Sequence, residues 1–279
     1  MKLTLSTGLF NHVEISSLPN LLPLLWEAGF KYLEVVDRLD FDDNITVLDD
    51  LRKKAKECEI EIPNWHLVQY PPLKENGEIN REAVDCMKNS MEKGSRIGAK
   101  NHVLHWDHRF LDKNFDLKWR EILDEWTEHA RSLGIRLLME TVPDKPTNQR
   151  YVPSSEIIDF VRSYPPEVLS MCVDVNHSNL QEKLPDVVCK VKDRLISLHI
   201  SDNNGHSEQH WLPGQGVIDF PSLFNSLESM EYDGFFVIEI NKWCEKPEEL
   251  SALRRLHEFG MSLLETKSPH PSTPRAMND

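Results

Sequence analysis

The sequence predicts an α/β protein built as a single (β/α)8 barrel, and three observations carry that expectation. Short apolar, β-branched segments alternate with longer amphipathic ones almost from end to end; the alternation repeats eight times without a break in composition; and several amphipathic stretches end in glycine just before the next apolar segment, at Gly29, Gly98, Gly134 and Gly234. Helix, glycine, strand is the rhythm of a parallel sheet, because parallel neighbours need a long crossover and a left-handed residue suits the end of each helix. Eight such units favour a closed barrel over an open doubly wound sheet, and barrels of this kind run to about 250 residues as one domain.

In chain order, the first strand is expected at Leu3–Ser6, followed by the helical stretch LPNLLPLLWEAG. The second, Tyr32–Val36, leads to ITVLDDLRKKAKEC, and the third, Glu61–His66, leads to NREAVDCMKNSMEKGSRIG. The fourth, His102–Trp106, precedes LKWREILDEWTEHARSLG, and the fifth, Arg136–Thr141, precedes SSEIIDFVRSYP. The sixth, Leu169–Val175, is followed by LPDVVCKVKDR, the seventh, Leu195–Ile200, by FPSLFNSLESMEYDG, and the eighth, Phe235–Ile240, by PEELSALRRLHEFGMSLLE. Apolar residues recur three and four apart in most of the long stretches, which is helical spacing. The barrel is expected over residues 1–265, and KSPHPSTPRAMND, rich in proline and polar residues, is expected to be a flexible C-terminal tail over 266–279.

Composition narrows the function. Forty-six acidic against 32 basic residues give a net charge of −14, which disfavours phosphate backbones and anionic lipid as partners. No apolar run approaches the roughly 18 residues of a membrane span, and the N-terminus reads as a strand and not as a signal peptide, so a cytoplasmic protein with no membrane partner is expected. The five cysteines are scattered, with no C-x-x-C pair to suggest a disulfide framework or a zinc knuckle. Neither a Gly-rich phosphate loop nor a dinucleotide fingerprint is present. A homo-oligomer is compatible with the sequence.

In such barrels the chemistry sits where strands run into the following loops, at their C-terminal ends. From the second strand to the eighth, those ends carry Glu34, His66, His105, Glu140, Asp174, His199 and Glu239. Carboxylates and imidazoles are costly choices for structure alone, since each must be desolvated or paired. Glu140, Asp174, His199 and Glu239 together offer three oxygen donors and one nitrogen, a mixed set that suits one Mn²⁺, Mg²⁺, Co²⁺ or Zn²⁺ with positions open to substrate. Each residue also has a structural reading: a lone Glu can hold a loop, and His66 or His105 can rest on a backbone carbonyl. His102, His108 and His129 are expected on the surface. Trp65, Trp106, Trp211 and Trp243 fit either the wall of a sugar pocket or ordinary packing.

Glu140 in MET, the D-x-x-H of Asp174–His177, the H-x-x-D of His199–Asp202, the H-x-x-x-G-x-G of His210–Gly216 before IDF, and the late IEI of Glu239 form an ordered set. That set resembles the xylose isomerase-like TIM barrels, a superfamily of sugar phosphate isomerases and epimerases, ketose 3-epimerases, inositol-catabolism enzymes and endonuclease IV. The resemblance implies that Glu140, Asp174, His199 and Glu239 hold one divalent metal, that the two glutamates also move the proton, and that His177 contacts a substrate oxygen. It places His66, His105 and His210 beside the substrate, a small sugar or cyclitol.

Two departures bear on the branch. Ketose 3-epimerases carry an arginine a few residues past the seventh-strand histidine, where this chain has Asn203, Asn204, Gly205 and His206, a loop closer to the inositol-catabolism branch. Endonuclease IV uses three zinc ions and an Asp-x-His where this chain has Glu208-x-His210, and the Asn that follows its glutamate is Thr141 here. The expected activity is isomerisation or epimerisation through proton transfer beside a carbonyl. A dehydratase on the same scaffold and a zinc phosphodiesterase are the alternatives.

Overall fold

The structure, a computed structural model, describes residues 1–38, 41–42, 44–74, 76–105, 113–142, 153–241, 243–244 and 246–265. Its strands are β1 (Lys2–Ser6), β2 (Tyr32–Val36), β3 (Glu61–His66), β4 (Asn101–His105), β5 (Arg136–Glu140), β6 (Leu169–Asp174), β7 (Leu195–Ile200) and β8 (Phe235–Ile238). They pair in parallel in sequence order and close through β8 onto β1, as the repeat pattern predicts. The helices are α1 (Leu18–Ala28), α2 (Thr46–Glu57), α3 (Arg81–Ile97), α4 (Lys113–Leu133), α5 (Ser154–Val161), α6 (Val175–Asn179), α7 (Leu184–Val191), α8 (Phe220–Ser229) and α9 (Leu250–Glu265). Among the described residues, no helix is long and apolar enough to cross a membrane. The tail over 266–279 lies outside the described residues.

Local chemistry explains the boundaries. Gly29 and Gly98 cap α1 and α3 in the left-handed region, at φ 110° and 96°, where a side chain would be strained. Asn80 starts α3 by accepting from the Ala83 amide at 3.4 Å, and Asp219 starts α8 by accepting from the Ser222 amide at 3.1 Å. Every residue of β6 is buried, because a parallel strand in a barrel is covered by side chains on one face and by helices on the other. The short α6 departs from the sequence expectation, which runs the sixth strand on through Val175. Asp174 ends the strand and its carboxylate accepts from the His177 amide at 2.9 Å, so the chain turns at once into a helix.

His102, expected on the surface, is fully buried. It alternates with inward-facing residues of β4 and so points out of the barrel toward α3, where a Cβ on Gly94 would strike both its ring and that of Trp65. Neither ring nitrogen has a hydrogen-bond partner of good geometry, and burial pushes its pKa down to about 3. The folded state therefore prefers the neutral ring. This contribution to stability is complete above the ordinary histidine pKa of about 6.5 and is lost as pH falls from there to about 3, on the order of 4 to 5 kcal/mol in all. Between about pH 7 and pH 4.5 the parent should lose roughly 2 to 3 kcal/mol more in urea titrations than His102→Phe. Equal losses in the two proteins would show that protonation of this ring does not drive acid unfolding.

Candidate metal centre

Parallel register brings the polar strand ends to one height. Asp174 pairs with His199 across β6 and β7, and His105 pairs with Glu140 across β4 and β5. β8 is shorter than expected, and Glu239 stands one residue past it, where its amide still donates to the Ile200 carbonyl at 3.1 Å and extends the ladder. Within this ring, one donor atom from each of Glu140, Asp174, His199 and Glu239 lies within 4.8 Å of the others.

These donors converge without satisfying one another. His199 Nδ1 lies 3.3 Å from Glu140 Oε1 and 3.1 Å from Glu239 Oε2. Yet His199 Nδ1, Glu140 Oε2, Asp174 Oδ2 and Glu239 Oε2 are all buried without a hydrogen bond of good geometry. Buried polar groups are rarely left in that condition, and here three carboxylates and an imidazole aim at one point. A divalent cation fits this donor set in charge, in hardness and in the mixture of oxygen and nitrogen.

A second tier of imidazoles surrounds the carboxylates. His66 Nε2 and His105 Nε2 lie 3.3 and 3.0 Å from Glu140 Oε2, and His177 Nδ1 lies 3.5 Å from both Glu140 Oε1 and Asp174 Oδ2. Glu208 bridges His177 Nε2 at 3.4 Å and His210 Nε2 at 2.9 Å. Two further donor groups overlap the first: His66, Glu140 and His199, and Asp174, His177 and His210. The fields are correspondingly strong. Burial works to raise Glu140, but the imidazoles of His105 and His199 override it and hold the carboxyl well below its ordinary range. Burial dominates at Asp174, which is pushed up to about 6. For His66 and His210, burial is overcome by the facing carboxylates Glu140 and Glu208, and both rise to about 9. Protons and a cation thus compete for the same oxygens.

The loops that carry these groups are organised by short-range chemistry. Thr141 accepts from the Asp174 amide at 3.0 Å through its hydroxyl and faces His177 Nδ1 at 3.0 Å through its carbonyl, so it aligns both members of the D-x-x-H pair. Asp202 accepts from four backbone amides, those of Asn203 and Ile218 on Oδ1 and of Gly214 and Gly216 on Oδ2, at 2.8–3.1 Å. The residues between are folded back so tightly that a Cβ on Gly216 would collide with the Asn203 carbonyl and the Asp202 carboxylate. His210, on this loop, has φ 48°, a left-handed conformation uncommon for a side-chain-bearing residue, and its Nε2 lies 2.9 Å from Glu208 Oε1.

All eight residues singled out from the sequence, Glu140, Asp174, His199, Glu239, His66, His105, His177 and His210, meet at this mouth. The tryptophans left open between a pocket wall and ordinary packing are now decided, and one surface histidine is corrected. Trp65 is fully buried and donates to the Ser90 hydroxyl at 3.2 Å, and Trp243 stacks on Phe259 and donates to the Ala252 carbonyl at 3.0 Å, so both are packing residues. Trp211 alone of the described candidates stays exposed on the loop that carries His210, and Trp106 and His108 lie outside the described residues. His129 is partly buried against Glu92 at 3.5 Å and not freely exposed. Glu34, expected at the end of the second strand, is instead the middle residue of β2, because the strand runs on to Val36; it receives no role from the sequence pattern, but its Oε2 meets His199 Nε2 at 3.1 Å, and only the closure of the barrel brings together residues so far apart in sequence.

The chain belongs to the xylose isomerase-like TIM barrel family, whose model matches residues 22–258. Among proteins of known activity it is similar to the fructoselysine 3-epimerase of Escherichia coli O157:H7, at 24% identity over 71% of this chain and 73% of that one. It is also similar to the L-ribulose-5-phosphate 3-epimerase UlaE of Escherichia coli O1:K1 / APEC, at 22% identity over 83% and 84% of the two chains. The crystal structure of a D-psicose 3-epimerase with D-fructose shares the fold, with a TM-score of 0.76 at 16% identity over 95% of this chain and all 100% of that one.

Proposed function

We propose that this chain is a divalent-metal-dependent isomerase or epimerase that moves a proton on the carbon beside a carbonyl of a small sugar, sugar phosphate or cyclitol, in the cytoplasm. The observation that carries the reading is the convergence of Glu140, from β5, and Glu239, from just past β8, on His199 Nδ1, at 3.3 and 3.1 Å, with Asp174 completing the donor set. The relatives named as sugar 3-epimerases support it, and so does the −14 charge, which suits a small molecule better than nucleic acid. In this reading Glu140, Asp174, His199 and Glu239 hold the cation, which supplies Lewis acidity to the substrate carbonyl and so acidifies the neighbouring C–H. One glutamate removes that proton, and the electron pair of the C–H bond shifts toward the carbonyl oxygen. For epimerisation the other glutamate relays a proton from an adjoining imidazolium, His66 beside Glu140 or His210 beside Glu239, to the opposite face, and the proton taken up by the first glutamate restores that imidazolium at the end of the cycle. His177 and His210, tied through Glu208, and His66 and His105, tied through Glu140, line the mouth and are assigned to substrate oxygens.

A second reading has one observation in its favour. The donor groups His66–Glu140–His199 and Asp174–His177–His210 overlap the first and have the composition of further metal positions, which suits hydrolysis of a phosphodiester or loss of a β-hydroxyl. One experiment separates them. The purified protein is analysed for metal per chain, then given a panel of keto sugars, ketose phosphates and ketocyclitols in deuterated water, and separately duplex DNA with an abasic site. The expected result is one divalent ion per chain, deuterium entering beside the carbonyl of at least one substrate, and intact DNA. Two or three ions with DNA cleavage and no exchange would replace the isomerase reading with the hydrolytic one.

A further inference from the structure

We infer that Glu34 is a positioning residue that fixes the ring nitrogen His199 presents to the centre; the inference rests on the metal-centre reading above. Glu34 is the middle residue of β2, across the barrel from β7, and both its side chain and that of His199 are completely buried. The Glu34 carboxylate meets His199 Nε2 at 3.1 Å, while His199 Nδ1, on the far side of the ring, is the atom that faces Glu140 and Glu239. A carboxylate accepts and cannot donate, so this contact requires a hydrogen on Nε2. The neutral ring then carries its lone pair on Nδ1, aimed where the other three donors converge. A free imidazole has no such bias, and a half-turn about its Cβ–Cγ bond would move Nδ1 away from the centre.

What lies below the pair shows that Glu34 is itself held. The Asn64 amide donates to Glu34 Oε2 at 3.3 Å and to the Ser197 hydroxyl at 3.1 Å, and its carbonyl accepts from the Asn101 amide at 3.1 Å. Four strands thus contribute to one polar chain, Asn101 to Asn64 to Glu34 to His199, that ends at the centre. Elsewhere inside the barrel Val103, Leu138 and Cys172 pack as a separate apolar cluster. A buried carboxylate is expensive in such surroundings, and an apolar residue would fill the barrel at lower cost. Orienting a metal-binding histidine through its second nitrogen is the chemistry this arrangement performs.

The test uses the full chain loaded with Zn²⁺, which is diamagnetic, in three forms: parent, Glu34→Met and Glu34→Asp. Met removes the acceptor at similar volume. Asp keeps the charge but withdraws it by one methylene, about 1.5 Å, out of reach of Nε2. Two readouts are independent of turnover: the Zn²⁺ dissociation constant by chelator competition, and the imidazole N–H of His199 in protein labelled with nitrogen-15 on histidine. The parent should show a solvent-protected Nε2–H. Both variants should lose that protection and bind Zn²⁺ about tenfold to a hundredfold more weakly. Parent-like affinity and a protected Nε2–H in a folded variant would overturn the inference and make Glu34 a space-filling residue; if Glu34→Met does not fold, Glu34→Asp supplies the same comparison. A parent that takes up no Zn²⁺ would instead overturn the metal-centre reading, and the inference with it.

Discussion

Asp174→Asn and His199→Ala are expected to take up far less divalent metal than the parent and to lose the thermal stabilisation that metal confers. A cation that binds only the folded chain stabilises it by mass action, by about 2.7 kcal/mol at a hundredfold excess over its dissociation constant. For a domain of this size that is roughly 5–10 °C in the unfolding midpoint. Both positions contribute a buried atom left without a hydrogen bond of good geometry, Asp174 Oδ2 and His199 Nδ1. The two variants differ in one respect. Asp174→Asn keeps an oxygen in place and the cap on α6, whereas His199→Ala also strips Glu34 of one of its two partners inside the barrel, leaving Asn64, and should cost stability even without metal. Scanning calorimetry with and without Mn²⁺, Co²⁺ or Zn²⁺ measures both effects. Equal metal-induced shifts in parent and variants would show that the donor set is wrong.

The greatest loss of turnover is expected from Glu140→Gln and Glu239→Gln. β5 and β8 stand three steps apart around the closed barrel, and the two carboxylates reach the centre from different sides. Glutamine keeps an oxygen for the cation and removes the base, so metal occupancy should fall modestly while proton transfer falls by about 10²–10⁴-fold. Both carboxyls are held well below their ordinary range, chiefly by imidazoles that override burial, and so remain ionised and able to accept a proton near neutrality. The measurement is exchange of the proton beside the carbonyl in deuterated water. Rapid exchange in both variants would move proton transfer to His177 or His66, whose rings lie against the same carboxylates.

Much of the site is legible in the sequence because a parallel barrel converts order along the chain into position in space. Once eight strands are recognised, the residue at the end of each is known to stand at the same rim, and a carboxylate or imidazole at six consecutive ends, from His66 to Glu239, is a pattern that packing alone does not generate; Glu34, read as a seventh, lies two residues short of the end of β2. The D-x-x-H spacing is readable for a local reason: Asp174 caps the turn that carries His177, so three residues of separation are enough to bring the two together. His102 and Trp65 are not legible in the same way. Period-two alternation puts them on the outer face of their strands, but whether that face meets solvent or a helix depends on how closely α3 approaches, which Gly94 permits.

Local periodicity and strand direction are therefore enough to specify the alternation of strand and helix, the closure into one barrel, and six of the eight residues that gather at its mouth; His177 and His210 are indicated only by the resemblance of their motifs to the family. Which atoms face one another there is settled by tertiary contacts alone. That Glu140 lies between four imidazoles, that Glu208 bridges His177 and His210, and that Glu34 meets the far nitrogen of His199 all depend on register and on the approach of strands distant in the chain. Such contacts have no signature in one dimension: a glutamate within a β-branched run reads the same whether it faces a lysine at the surface or the second nitrogen of a buried histidine.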